Sequence, residues 1–195
     1  MCHSLLSDSN FFHHLHRLDE ALAADVRAQG CPYCGGELHQ AHYPRKPRGV
    51  SRHFLGCDYE YRLSFCCARE GCRRRTTPGS VRFLGRRMYL SVVVVLVTVL
   101  ASGVSVQRAR LLSEQLGVSE RSLQRWRQWW RRDFVRSVFW QVHRSRFSPP
   151  PLVSALPSSL WACFSDQSMS AQWSQLLVFI APVTTQSGQS ILHTD

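Results

Sequence analysis

Apolar residues recur along the chain with two different periods, and the changes of period mark its elements. Phe12, Leu15, Leu18, Leu22 and Val26 keep a three-or-four-residue spacing, which predicts an amphipathic helix over 9–29 that Gly30 stops. Short stretches with strand character follow at 51–55 and 59–65. Residues 88–101 read MYLSVVVVLVTVLA, an apolar run without a polar face. Its valines favour a strand, and its length suggests a membrane. The uninterrupted part, however, is about a dozen residues where about 20 are needed to span. A buried helix closing a three-helix core is the expectation. From Val106 the period becomes helical again: Leu112 and Leu116 lie one turn apart, Gly117-Val118-Ser119 interrupts, and Leu123, Trp126 and Trp130 resume at i, i+3 and i+7. Gly ends one helix and Ser opens the next, so 105–132 is predicted to be a helix-turn-helix. A further short helix is expected within 133–147. Ser148-Pro149-Pro150-Pro151 then reads as a boundary before two short apolar segments, 159–164 and 172–180. This tail is either a packed appendage or a docking element.

Charge adds direction to that outline. The 195 residues carry a net charge of +11 and a pI near 9.9, and 23 of the 24 basic residues are Arg. From Cys31 to Phe147 there are 22 basic residues against 7 acidic ones, and no Lys or Arg follows Arg146. A polyanion, nucleic acid before a membrane surface, is the expected partner. The face of the second predicted helix opposite Leu123, Trp126 and Trp130 carries Arg121, Arg125, Gln128 and Arg132, with Gln124 beside them. Arg pairs in bidentate fashion with guanine and Gln with adenine in the major groove. Glu120, at the start of this helix, would repel phosphate unless it reads a cytosine amino group. A solvated basic face on a plain helical hairpin is the competing explanation. The loops 43–49 and 73–78, with Arg73, Arg74 and Arg75, suit phosphate contacts.

Eight cysteines supply the candidate chemistry. Residues 1–30 show no secretory signal, so metal binding in a reducing cytoplasm is expected rather than a disulfide framework. Cys31-Pro32-Tyr33-Cys34-Gly35-Gly36 has the form of a metal knuckle, although alone it would also fit a redox site. The second cluster, Phe65-Cys66-Cys67-Ala68-Arg69-Glu70-Gly71-Cys72, about 30 residues on, favours a closed four-thiolate zinc site of Cys31, Cys34, Cys67 and Cys72. Cys66 is an alternative to Cys67, since neighbours on a strand face opposite ways. Cys57 is a reserve ligand, and Cys31, Cys34, His39 and His42 form a compact alternative set. Cys2 and Cys163 stand apart. His13, His14 and His16 fall on or near the polar side of the first helix.

CPYCGG, then CRRRTTPGS, then GVSERSLQRWRQWW resemble the zinc-ribbon and helix-turn-helix proteins of bacterial insertion sequences, over roughly 31–140. The four-residue gap between Cys67 and Cys72 departs from the commoner spacing of two. The resemblance implies binding of double-stranded DNA at element ends or regulatory sites, Zn2+ on the ribbon cysteines and the second helix as reader. A separate transposase or recombinase subunit is an implied partner, with a homodimer left open and a cytoplasmic, nucleoid-associated bacterial location. Two-metal strand transfer needs three carboxylates on a mixed α/β core. After the second helix only Asp133, Asp166 and Asp195 remain, so no catalysis by this chain is expected. The expected fold is mainly α with a small β zinc ribbon: helix (1–30), ribbon (31–80), trihelical helix-turn-helix domain (81–147) and Pro-led tail (148–195). An RNA-binding ribbon, with bases stacked on Tyr43, Tyr59 or Phe65, and a truncated transposase are the rival readings.

Overall fold

The computed structural model describes residues 5–84, 89–100, 106–165 and 168–185. Cys2, Arg86, Arg87, Met88, Ala101, Ser102, Gly103, Ser105, Asp166, Asp195 and the side chain of Leu112 lie outside the described residues. The described chain is mainly helical, with a small set of short antiparallel strands.

Helix α1 spans Ser9–Gln29; Asp8 caps it by accepting the Asn10 N–H at 2.9 Å. It buries Phe11, Phe12, Leu15, Asp19 and Ala23, with Leu18 and Leu22 packed alongside. His13 and His14 are exposed. His16 lies against Glu20 and Asp58, and burial holds its pKa below the ordinary imidazole value.

Strands β1 (Leu38–Gln40), β4 (Phe65–Cys67) and β5 (Arg75–Thr76) form one antiparallel sheet in the order β1-β4-β5, with Leu38 opposite Cys67 and Cys66 opposite Arg75. β2 (Tyr43–Pro44) pairs with β3 (Tyr61–Arg62) in a second. The stretch expected to be extended at 51–55 is instead a single helical turn, α2 (Arg52–Leu55), and 3-10 backbone occupies Cys57–Glu60. Ser51 caps α2: its hydroxyl accepts the His53 N–H and starts a turn where a short extended stretch was expected.

The valine run forms helix α3 (Ser91–Val99), buried on every side. No helix among the described residues is long and apolar enough to cross a membrane. Around α3 pack helices α4 (Val106–Gln115) and α5 (Glu120–Gln128), the latter continuing as a π-helical turn, Trp129–Phe134. Thr98, the polar residue of the run, bonds back to the Val94 carbonyl and accepts the Trp130 indole N–H at 3.1 Å. The wider π turn accommodates three rings: Phe134 lies 5.6 Å from Trp129 and 4.8 Å from Trp130.

Helix α6 (Val138–His143) leads to the proline segment and the tail, which is part of the main core. Helices α7 (Ser158–Ala162) and α8 (Met169–Ile180) bury Leu160, Trp173, Leu176, Leu177 and Ile180 in the same cluster as Phe12 and Val94. Phe179 joins Phe139 and Phe147, bridging α8 to the chain before the prolines.

A buried polar knot ties α1 to the strand-to-helix connection. Asp19 accepts the Ser80 hydroxyl at 2.6 Å, the Val81 N–H at 2.7 Å and Arg82 Nε at 2.8 Å. Arg82 also reaches the Asp58 carbonyl and lies over the Tyr59 ring, whose hydroxyl bonds the Phe12 carbonyl. Arg62 is buried too, against the Pro78 carbonyl, and burial lowers its pKa. These two guanidiniums therefore contribute nothing to a polyanion surface, though they counted toward the basic excess read from the sequence.

Candidate metal centre and nucleic-acid interface

Gly30 ends α1 one residue before Cys31, so the helix sets where the first pair of thiols starts. A tight turn follows, in which the Cys31 carbonyl accepts the Gly35 N–H at 2.8 Å and the Cys31 N–H returns to the Gly36 carbonyl at 2.8 Å. The second pair is set by β4, whose last residue is Cys67, and by the turn through Gly71 that brings Cys72 back. The side-chain sulfurs of Cys31, Cys34, Cys67 and Cys72 lie within 4.8 Å of one another, the only such cluster among the described residues that could hold a metal ion. Cys31 and Cys72 are 3.8 Å apart and Cys34 and Cys67 3.5 Å, with no disulfide among them. Four sulfurs about 2.3 Å from a common ion in tetrahedral array would lie about 3.8 Å apart. The donor set thus fits a thiophilic ion and leaves no coordination position open.

The backbone is shaped to the sulfurs. The N–H groups of Gly36, Arg69 and Arg74 bond the sulfurs of Cys34, Cys67 and Cys72, each from two residues further on. The Gly36 N–H holds the Cys34 thiol down to about 7, whereas burial pushes Cys67 up to about 12. Space is tight at Gly36: a Cβ there would lie 3.1 Å from the Cys67 sulfur and 3.3 Å from that of Cys34, so a larger residue would press on both.

The remaining candidates fall elsewhere. Cys66, the neighbour of Cys67 on β4, faces the other way, 3.3 Å from the Arg73 carbonyl. Cys57 and Cys163 are exposed and outside the cluster. His39 is exposed beside Glu37, and His42 Nδ1 accepts the Ser64 N–H, so neither joins Cys31 and Cys34.

The turn between α4 and α5 has Gly117 at φ 62°, a left-handed conformation suited to Gly, and Ser119 as cap, accepting the Ser122 N–H at 3.3 Å. Tyr89 braces the turn: its hydroxyl donates to the Gly117 carbonyl at 2.6 Å and its ring meets Trp126 edge-on. Trp126 and Trp130 are buried and Leu123 packs on the core, while Arg121, Gln124, Arg125, Gln128 and Arg132 are exposed. Arg125 bonds the Ser122 hydroxyl at 3.3 Å, and Gln124 reaches Glu120 at 3.5 Å. Arg136, beyond the π turn, is exposed as well.

Arg73, Arg74 and Arg75 are all exposed but differently employed. Arg75 bonds the Ala41 carbonyl at 2.6 Å and lies over the Tyr43 ring. Arg74 lies over Tyr33, 4.5 Å from its centroid. Among the stacking candidates, Tyr59 and Phe65 are buried and only Tyr43 reaches solvent. Tyr33, which the motif reading passed over between its two cysteines, is 54% exposed.

Comparison with protein-family models, with curated proteins and with solved structures found no significant match.

Proposed function

We propose that the protein is a zinc-stabilised, sequence-specific DNA-binding protein of a bacterial mobile element, with α4 and α5 as its helix-turn-helix. In this reading Zn2+ sits on Cys31, Cys34, Cys67 and Cys72, a closed site that stabilises the ribbon without doing chemistry. The ion fixes the two turns on which Arg69, Arg73 and Arg74 stand. The chain positions DNA and catalyses no transfer; a separate transposase or recombinase subunit would act on what it holds.

The observation that carries the reading is the division of α5. Its apolar side is anchored in the core by Trp126, while Arg121, Gln124, Arg125 and Gln128 form an exposed row of base-reading types. Ser122 steadies Arg125 from one turn back, so part of the ordering cost is met before binding. Arg132 and Arg136, further along, suit the phosphate backbone.

Two substitutions separate reading from general attraction. Arg125→Ala should flatten the preference among duplexes, by about 1–3 kcal/mol at one base pair. Arg73→Gln should weaken all duplexes alike and reduce the salt dependence. Equal losses from both variants on every sequence would refute the assignment of α5 as reader.

A further inference from the structure

We infer that the ribbon also carries a stacking site for one unpaired nucleobase, built by Tyr33 with Arg74 behind it. The inference rests on the nucleic-acid reading above and extends it to a second structural class of DNA, a duplex with a single-stranded end.

Tyr33 lies between two cysteines of the cluster, and the residue is 54% exposed. The Arg74 guanidinium lies 4.5 Å from the ring centroid, covering one face. Both partners are held by the cluster. Tyr33 is within the turn that the Cys31 carbonyl closes. Arg74 donates its N–H to the Cys72 sulfur, and its carbonyl accepts the Cys67 N–H at 2.9 Å. A large aromatic ring fixed at a metal turn, backed by a cation and otherwise open, has room for one more planar group.

The surroundings select that group. Arg69, Arg73 and Arg74 stand exposed on the same loop against the single acid Glu70, so an anionic ligand is favoured over a cationic or apolar one. Arg69 is itself oriented by the Cys34 carbonyl at 3.0 Å. A nucleotide offers both a flat ring and a phosphate. In a duplex the faces of the bases are already stacked, so only an unpaired base can use the ring. Tyr61 provides an internal control: it is 50% exposed on β3, and among the described residues no guanidinium lies over its ring.

The test uses the full, zinc-loaded chain and a short duplex in three forms: blunt, with a four-nucleotide single-stranded end, and with the same end made abasic. The abasic form keeps the added phosphates and removes the bases. Fluorescence anisotropy at fixed salt should show the single-stranded end binding about tenfold tighter than the abasic one. Tyr33→Ala should erase that difference, whereas Tyr33→Phe and Tyr61→Ala should keep it. Equal binding of the intact and abasic ends, or a difference that survives Tyr33→Ala, would overturn the inference and leave duplex recognition standing. Failure to bind any of the three forms would overturn both.

Discussion

The buried pair of Asp19 and Arg82 offers a quantitative test of how the N-terminal helix is joined to the rest of the molecule. Both side chains are fully excluded from solvent. Asp19→Ala removes the carboxylate paired with Arg82 and strands a guanidinium whose other hydrogen bond goes to the Asp58 carbonyl. Breaking one side of a buried pair costs about 3–5 kcal/mol, because a desolvated charge is left uncompensated. The Val81 N–H loses its acceptor as well, adding about 1–3 kcal/mol for a buried unsatisfied donor. The combined loss, about 4–8 kcal/mol, is a large part of the roughly 5–15 kcal/mol that holds an ordinary domain together. Urea unfolding of the metal-loaded protein, followed by tryptophan fluorescence, would measure it. The double variant Asp19→Leu with Arg82→Met, which removes both charges, should recover most of the loss. A single-variant loss below about 1 kcal/mol would refute the reasoning, since it would mean that Arg82 is not desolvated as described. A double variant no more stable than the single one would do the same.

Two further predictions concern the cysteine cluster. Cys67→Ser should lower metal affinity by more than about 100-fold, beyond the loss usual for altering a supporting residue, while Cys66→Ser should leave it unchanged. Competition with a chromophoric chelator would measure both, and equal effects would contradict the facing of β4. The Cys34 thiol is held down to about 7, so it is largely deprotonated above that pH and protonated below it. Metal must displace that proton in acid, so the number of protons released per ion should rise as pH falls through about 7, and apparent affinity should fall more steeply there. Calorimetric titrations in buffers of different ionisation enthalpy count those protons; the same count on both sides of neutrality would exclude the assignment.

The parts of the fold that rest on local chemistry were legible in the residues. The span of α1 follows from its apolar period and the Gly after it, and the α4–α5 turn follows from Gly117 and Ser119. The cysteine quartet came from spacing, but the choice of Cys67 over Cys66 required the register of β4 against β1. What depends on distant partners was not legible. Arg62 and Arg82 look like surface charge in a basic chain; only folding takes Arg82 to Asp19, 63 positions away. The three prolines read as a boundary before a packed appendage or a docking element, yet Trp173 and Leu176 complete a core begun by Phe11 and Phe12, a pairing no local pattern encodes. Residues 51–55 misled because a five-residue stretch carries too little periodicity to tell a strand from a single capped turn. Thr98, one polar residue in an apolar run, acquires its meaning from Trp130 on another helix.

Selection of bound duplexes from a randomised library by the zinc-loaded chain, run beside a chelated sample, tests the central claim most directly. A sequence-specific reader predicts recovery of a defined motif that disappears on chelation and blurs at one position in Arg125→Ala. Recovery of no motif, with binding that only fades as salt rises, would contradict it and reduce the exposed row on α5 to a general attraction for polyanions.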